Sequence, residues 1–139
     1  MSVETRIIHL ETRGNAEIID ITPRLRDIID SAGINSGIIN VSVPGSTGAI
    51  TTMEYEPGQI ADLKEMLEKL VPENEVYQHN IREGDSNGHS HLRASLIGCS
   101  QTIPFKDKEL LLGTWQQVVF VDCDVRARHR ELITTVIGE

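Results

Sequence analysis

The chain is poor in aromatic residues and in cysteine. Phe, Trp and Tyr make up 4% of its 139 residues, and the two cysteines, Cys99 and Cys123, stand alone in apolar surroundings. We therefore expect a core of Ile, Leu and Val that contains two buried, reduced thiols, without a disulfide framework. Long apolar runs are also lacking, since none approaches the roughly 18–20 residues of a membrane span, and no secretion signal opens the sequence. These absences predict a cytoplasmic protein without a membrane partner.

Positive charge is scarce as well. The chain has 13 Lys and Arg residues against 21 Asp and Glu residues, which gives a net charge of −8. This balance argues against binding to nucleic acid through bulk charge, so any affinity for phosphate must be local. The length fits one domain, and we find no linker or repeat that would divide residues 1–139.

Short β-branched segments dominate the sequence. Residues 3–10 and 17–21 are predicted to form a hairpin around the turn at residues 13–15, and residues 78–88 are predicted to form a loop. Helices are expected to begin at Thr22-Pro23 and at Pro57-Gly58. The remaining predicted strands are residues 37–43, 49–55, 100–105, 109–112, 116–121 and 131–137. The pattern predicts an α+β fold with an antiparallel β-sheet or β-sandwich core and two helices.

Three of the five histidines, His79, His89 and His91, fall in or beside the predicted loop. His89 and His91 project to the same side if the backbone between them is extended, and three imidazoles suffice for a catalytic zinc site with one position open to water. Histidines in a polar loop can equally be solvated or bonded locally. Metal binding by the three residues is the leading hypothesis for chemistry in this chain.

Donors for an anion occur in two further segments. Ser46 and Thr47 lie in a glycine-flanked turn at residues 44–49, and Arg93 follows the histidines. Hydroxyls, backbone N–H groups and a guanidinium are the donors that a phosphate needs. We expect this turn and residues 84–88 to converge on the metal cleft, with Ser46, Thr47 and Arg93 holding the anion.

Glu54 precedes the second helix, where it could act as a general base, a fourth metal ligand or a residue that orients a histidine. A solvated acid near a helix N-terminus has the same pattern. Arg126, Arg128 and Arg130 alternate, so in a strand they would share one face. Such a face could form the positive wall of a site or simply a charged, solvated strand edge.

Taken together, residues 84–94 (GDSNGHSHLRA), residues 113–117 (GTWQQ) and the ending IGE resemble the YjbQ-like family, whose members are labelled secondary thiamine-phosphate synthases. The resemblance covers nearly the whole chain. It implies a compact α+β protein, assembled as a homotrimer, with a cleft that bears a divalent metal, zinc or, with a diphosphate substrate, magnesium. The implied reaction joins a hydroxymethylpyrimidine diphosphate to a thiazole phosphate and releases pyrophosphate, as a secondary activity on small phosphorylated molecules.

The resemblance also implies roles for single residues. His79 and His91 match family histidines, Glu54 matches the glutamate before the long helix, and Asp85 and Asn87 match an acidic loop. We assign Glu54 and Asp85 to catalysis and Asn87 to substrate binding. Many members carry a histidine at the position of Gly45, whereas many of those lack a counterpart of His89, so the ligand positions could be exchanged.

The predicted chemistry leaves two further functions open. Imidazole clusters favour zinc, whereas displacement of pyrophosphate is usually assisted by magnesium on carboxylates. A zinc-dependent hydrolase of a small phosphorylated or acyl substrate is therefore the alternative enzyme. A non-catalytic, ligand-binding trimer is the alternative from another class.

Overall fold

The computed structural model describes residues 1–139 and contains eight strands and four helices. The strands are β1 (Ser2–Thr12), β2 (Glu17–Asp20), β3 (Gly37–Ser42), β4 (Gly48–Met53), β5 (Ser100–Lys106), β6 (Glu109–Leu110), β7 (Gln117–Asp122) and β8 (Arg128–Gly138). The helices are α1 (Thr22–Ser31), α2 (Pro57–Leu70), α3 (Gln78–Glu83) and α4 (Gly88–Ile97). None of them combines the length and the apolar character that crossing a membrane requires.

Every strand pair is antiparallel, and the strands form two sheets. The larger sheet has the order β1-β8-β3-β5-β6, and the smaller sheet has the order β2-β7-β4. Helices are inserted between strands rather than alternating with parallel strands. The predicted α+β fold with an antiparallel core is confirmed.

The predicted hairpin between the first two strands is wrong. β1 pairs with β8 along its whole length, whereas β2 pairs with β7 in the other sheet. The chain changes sheets at Gly14, Asn15 and Ala16, all of which have positive φ. A side chain at Gly14 would collide with the backbone carbonyls of Asp124 and Arg126 at 2.7 Å. The turn is therefore held against a distant loop, which local patterns do not reveal.

Residues 78–88, predicted as a loop, contain helix α3 and the first residue of α4, so the structure has four helices rather than two. α3 is only six residues long and ends at Gly84, whose left-handed backbone allows the chain to turn toward α4. A helix this short leaves almost no periodicity to detect. Residues 89–91 therefore lie in the first turns of α4, and the backbone between His89 and His91 is not extended.

The core is aliphatic, as predicted. Eighteen buried residues pack between α1 and the two sheets, and Ile, Leu and Val dominate this cluster. A second cluster packs α4 against the smaller sheet through contacts that include Ala94, Ala49 and Val119. Cys123 belongs to it, and burial raises the pKa of this thiol to about 12. Cys99 is free but exposed, so the expectation that both thiols are buried is wrong for it.

Candidate functional site

His79 and His91 meet where α3 and α4 approach each other. Their ring centroids lie 4.7 Å apart, and the ring planes are inclined by 75°. The approach depends on Gly88, because a Cβ atom there would lie 2.8 Å from the Tyr77 Cβ and 2.9 Å from the Asn80 Oδ1. The Gly88 N–H donates to that same Oδ1 at 2.9 Å. One glycine and one amide thus bring the two imidazoles together.

Each imidazole has one nitrogen engaged and one free to bind. The Nδ1 of His91 lies 3.0 Å from the Ser46 carbonyl oxygen, which can only accept a hydrogen bond, so Nδ1 carries the proton. The Nε2 of His79 donates to the Asn87 Oδ1 at 3.0 Å. Lone pairs therefore remain on His91 Nε2 and His79 Nδ1. Such fixed tautomers are typical of histidines that hold a metal ion or accept a proton.

The two histidines line a pocket of about 660 Å³. Its wall is formed by Ser46, Val76, Tyr77, Gln78, His79, Gly88, His91 and Leu92. Ser46 and Gly88 come from the two glycine-bearing turns, which do converge on the histidines. The wall contains no carboxylate, and the apolar side chains Val76 and Leu92 are exposed at it.

His89 does not join the other two histidines. It precedes His91 by two helical residues, so the two side chains diverge by about 200° around α4. His89 is only 2% exposed, and its Nδ1 has no hydrogen-bond partner. Burial, assisted by the nearby Arg93 charge, lowers the pKa of His89. The predicted set of three imidazoles is not assembled within one chain, because the backbone that carries them is helical.

Arg93 has a different environment from that of the predicted phosphate ligand. It is buried, its Nε donates to the Val71 carbonyl at 2.9 Å, and its Nη2 donates to the Glu68 Oε2 at 2.7 Å. This hydrogen bond lowers the pKa of Glu68. Arg93 therefore links α4 to the C-terminal end of α2.

Thr47 is also occupied within the protein. Its buried hydroxyl donates to the Asp124 Oδ2 at 3.2 Å and accepts from the Arg130 Nη2 at 2.9 Å. The neighbouring Ser46 reaches the pocket, where its carbonyl holds His91. The turn at residues 44–49 thus contributes a backbone acceptor to the site. The Thr47 hydroxyl, which was predicted to bind an anion, instead bonds to Asp124 and Arg130.

The charge network joins the two sheets. Arg130 donates through Nε and Nη2 to the two oxygens of Asp122, both at 2.9 Å. The Thr12 hydroxyl donates to the same carboxylate, and the Arg128 Nε donates to Asp124 at 2.6 Å. Burial by itself raises the pKa of Asp124, but the bonds from Arg128 and the Val125 N–H outweigh it, so the pKa lies below its usual value.

The three arginines therefore do not form one free positive face. Arg128 and Arg130 are paired with aspartates, and Arg126 is exposed in the loop before β8. β8 also lies between β1 and β3 and is not a sheet edge. The alternation of charges at Asp122, Asp124, Arg128 and Arg130 was the available signal for this network, but only the two-sheet topology brings the charges together.

Glu54 and Asp85 are exposed and lie outside the pocket wall. The Asp85 Oδ1 accepts the Ser86 N–H at 2.8 Å, which is a local turn contact. Asn87, in contrast, acts on the site by holding His79. The pocket residues Val76, Gln78 and Tyr77 were missed, because nothing in a single sequence marks an apolar or amide side chain as part of a wall.

Comparison with known proteins identifies the family of this chain. The family model described as UPF0047 protein YjbQ-like matches residues 6–139. A UPF0047 protein of Methanothermobacter thermautotrophicus is 40% identical over 139 residues, covering 100% of this chain and 95% of that protein. The UPF0047 protein YugU of Bacillus subtilis is 30% identical over 122 residues, covering 86% of this chain and 89% of that protein.

Solved structures give the same result. A hypothetical protein of Aeropyrum pernix superposes with a TM-score of 0.90 at 32% identity, covering 98% of this chain and 99% of that one. A YjbQ-like protein of unknown function from Sulfolobus solfataricus superposes with a TM-score of 0.89 at 27% identity, covering 99% of this chain and 100% of that one. The chain belongs to the UPF0047 family of YjbQ-like proteins.

Proposed function

We propose that the protein is a metal-dependent enzyme that acts on a small phosphorylated molecule in the pocket of His79 and His91. The observation that carries the proposal is the pair of adjacent imidazoles, each with one nitrogen bonded to an acceptor and the other nitrogen free. A pocket of about 660 Å³ suits a small molecule. Two adjacent imidazoles held in fixed tautomers, each with a free nitrogen at a pocket, indicate a binding role rather than a purely structural one.

The donor set fits a divalent transition metal such as zinc. His79 Nδ1 and His91 Nε2 would hold the ion, and the Asn87 and Ser46 oxygens would orient the rings. When bound, such an ion polarises a phosphoryl or carbonyl oxygen or activates water. Gly45 offers no ligand and His89 is buried elsewhere, so a third ligand would come from the substrate, from water or from a neighbouring chain.

The family resemblance suggests the thiamine-phosphate synthase reaction. In that reaction the pocket would position a pyrimidine diphosphate beside a thiazole phosphate, and pyrophosphate would leave. The protein's own contribution is to orient both molecules and to offer a free imidazole nitrogen as a proton acceptor. We retain it as the first reaction to test.

Hydrolysis of a small phosphorylated or acyl substrate is the second candidate. It is favoured by the absence of carboxylates from the pocket wall, because magnesium-assisted displacement of pyrophosphate relies on carboxylate ligands. Glu54 and Asp85 could supply them only after a movement of their loops. An imidazole-rich wall is the chemistry of zinc-activated water.

We also propose that the protein is cytoplasmic and assembles as a homotrimer. The reduced thiols support the compartment. The outer face of the larger sheet supports the assembly, because Val3, Ile7, Ile38 and Ile133 are exposed on it. Ile7 lies directly opposite Ile133 in the sheet. In a trimer, the exposed Arg126 of one chain could add a positive charge to a neighbour's pocket, since Arg128 and Arg130 are already paired.

The test compares the native protein with His79→Ala and His91→Ala variants. Arg82→Ala, on the exposed side of the same short helix, is the control. Metal content after purification without added metal, pyrophosphate release from the two thiamine precursors, and hydrolysis of phosphate and acyl esters are measured. We expect both histidine variants to lose metal and at least 100-fold of activity, with the control unchanged. Full activity in both variants would overturn the proposal, and binding without turnover of any substrate would indicate a binding trimer.

A further inference from the structure

A second group of histidines lies on the outer face of the larger sheet. β1 and β8 pair so that His9 lies opposite Glu131 and Glu11 lies opposite His129. Alternate residues of a strand share one face, so all four side chains project to the same side, and all four are exposed. None of them contributes to the pocket of His79 and His91.

Three donor atoms of this group converge. The His9 Nδ1 and the His129 Nε2 lie 3.3 Å apart, and the Glu131 Oε1 lies 3.8 Å from the first and 4.0 Å from the second. Two imidazole nitrogens bound to one tetrahedral zinc at about 2.0–2.1 Å are separated by about 3.4 Å. The two rings are therefore already spaced as a zinc ion requires, and the exposed carboxylate needs to move by only a fraction of an ångström.

Glu11 contacts His129 on the ring nitrogen that does not face His9 and Glu131. Its Oε1 accepts the His129 Nδ1–H at 2.5 Å, which leaves the lone pair of His129 on Nε2, the nitrogen that faces His9 and Glu131. A carboxylate that holds the far nitrogen of a histidine is the usual companion of a zinc-binding imidazole. Two acidic side chains also offset the positive charge of a divalent ion.

We propose that His9, His129 and Glu131 bind a divalent transition-metal ion of the zinc type, and that Glu11 is a positioning residue for His129. Two imidazoles and one carboxylate form the donor set of zinc sites that keep a fourth position for water or a ligand. The ion would join the first and the last strand of the chain. Because the unfolded chain does not bring these residues together, binding would stabilise the folded state.

The experiment titrates Zn²⁺ into the full chain in competition with a chromophoric chelator, and Co²⁺ absorption reports the coordination geometry. All variants are made in a His79→Ala, His91→Ala, Cys99→Ser background, which removes the other histidines that are not buried and the exposed thiol. The background protein, which already lacks His79 and His91, is the control with which every variant is compared. Circular dichroism checks the fold of each variant, and the four residues are exposed, so their replacement leaves the core intact.

We expect the background protein to bind one Zn²⁺ per chain and to show the absorption of tetrahedral Co²⁺. His9→Ala and His129→Ala should each weaken binding by at least 100-fold. Glu11→Gln should weaken it by about 10–100-fold while the stoichiometry stays at one, and Glu11→Asp should recover part of the loss. An affinity that stays within threefold in both histidine variants would overturn the site. If one histidine variant fails to fold, Glu131→Gln takes its place, with the same criterion for loss of Zn²⁺ affinity.

Discussion

Arg130 on β8 donates two hydrogen bonds, each of 2.9 Å, to the carboxylate of Asp122 at the end of β7. The pair crosses the junction of the two sheets. Both side chains are almost fully buried. Arg130 also donates to the Thr47 hydroxyl, and the carbonyl of the preceding residue, Ser46, fixes the tautomer of His91. The ion pair therefore connects the stability of the fold with the geometry of the pocket.

Replacing Asp122 by Ala should lower the free energy of unfolding by about 3–5 kcal/mol, because it leaves the Arg130 guanidinium buried without its partner. Urea denaturation measures this change. Arg13→Ala is the control, since Arg13 pairs with Glu17 at the surface and its loss should cost about 0–1 kcal/mol. Equal, small effects of the two substitutions would contradict a structural role for the buried pair.

Removing the amide of Asn87 should weaken metal binding in the pocket. Without the Asn87 Oδ1, the His79 ring loses the acceptor that keeps its proton on Nε2, and affinity should fall by about 10–100-fold in Asn87→Ala. Zn²⁺ titration in a His129→Ala background measures the pocket alone. Asp85→Ala is the control, because Asp85 bonds only to the adjacent turn. A loss as large in Asp85→Ala would mean that the whole turn, rather than the His79 contact, controls binding.

The buried His89 should make the protein less stable as the pH falls. Its pKa in the folded state is lowered from 6.5, chiefly by burial, so the unfolded chain takes up this proton first. The contribution of neutral His89 to the free energy of unfolding is complete above pH 6.5. It decreases as the pH falls below 6.5, until the pH reaches the lowered pKa of the folded state. The slope is at most about 1.4 kcal/mol per pH unit.

The measurement is the difference in unfolding free energy between the native protein and His89→Gln, followed from pH 8 to pH 5. Carboxylates titrate in both proteins, so their contributions largely cancel in the difference. We expect the advantage of the native protein over the variant to shrink below pH 6.5. A constant difference across this range would show that His89 takes up no additional proton on unfolding.

The outer face of the larger sheet should control assembly. Ile7 and Ile133 are paired across β1 and β8, and they are 50% and 39% exposed. A charge placed between apolar surfaces is costly, so Ile7→Glu should convert the proposed trimer to a monomer in sedimentation velocity experiments. Leu70→Glu, at an exposed position on α2, should leave the proposed assembly unchanged. An unchanged sedimentation coefficient in Ile7→Glu would remove this face from the interface.

The sequence by itself determined the class of the fold and the position of its strongest helices. The alternation of β-branched residues predicted the strands, and the prolines at residues 23 and 57 marked the starts of α1 and α2. These signals are local, because each depends on the conformational preferences of a few neighbouring residues. The motifs around His79 and His91 likewise indicated the family and the location of the pocket.

Only the tertiary structure decided which residues meet. The pairing of β1 with β8 joins the two ends of the chain, so it brings His9 to His129 and Glu131, which lie more than a hundred positions away in the sequence. The helical backbone of α4 turns His89 into the protein and leaves His91 at the pocket. At the junction of the sheets, Arg128 and Arg130 form internal ion pairs and Thr47 forms internal hydrogen bonds, so none of them is available to a ligand. Burial and long-range register decide these outcomes, because each side chain's role depends on neighbours that are distant in the sequence.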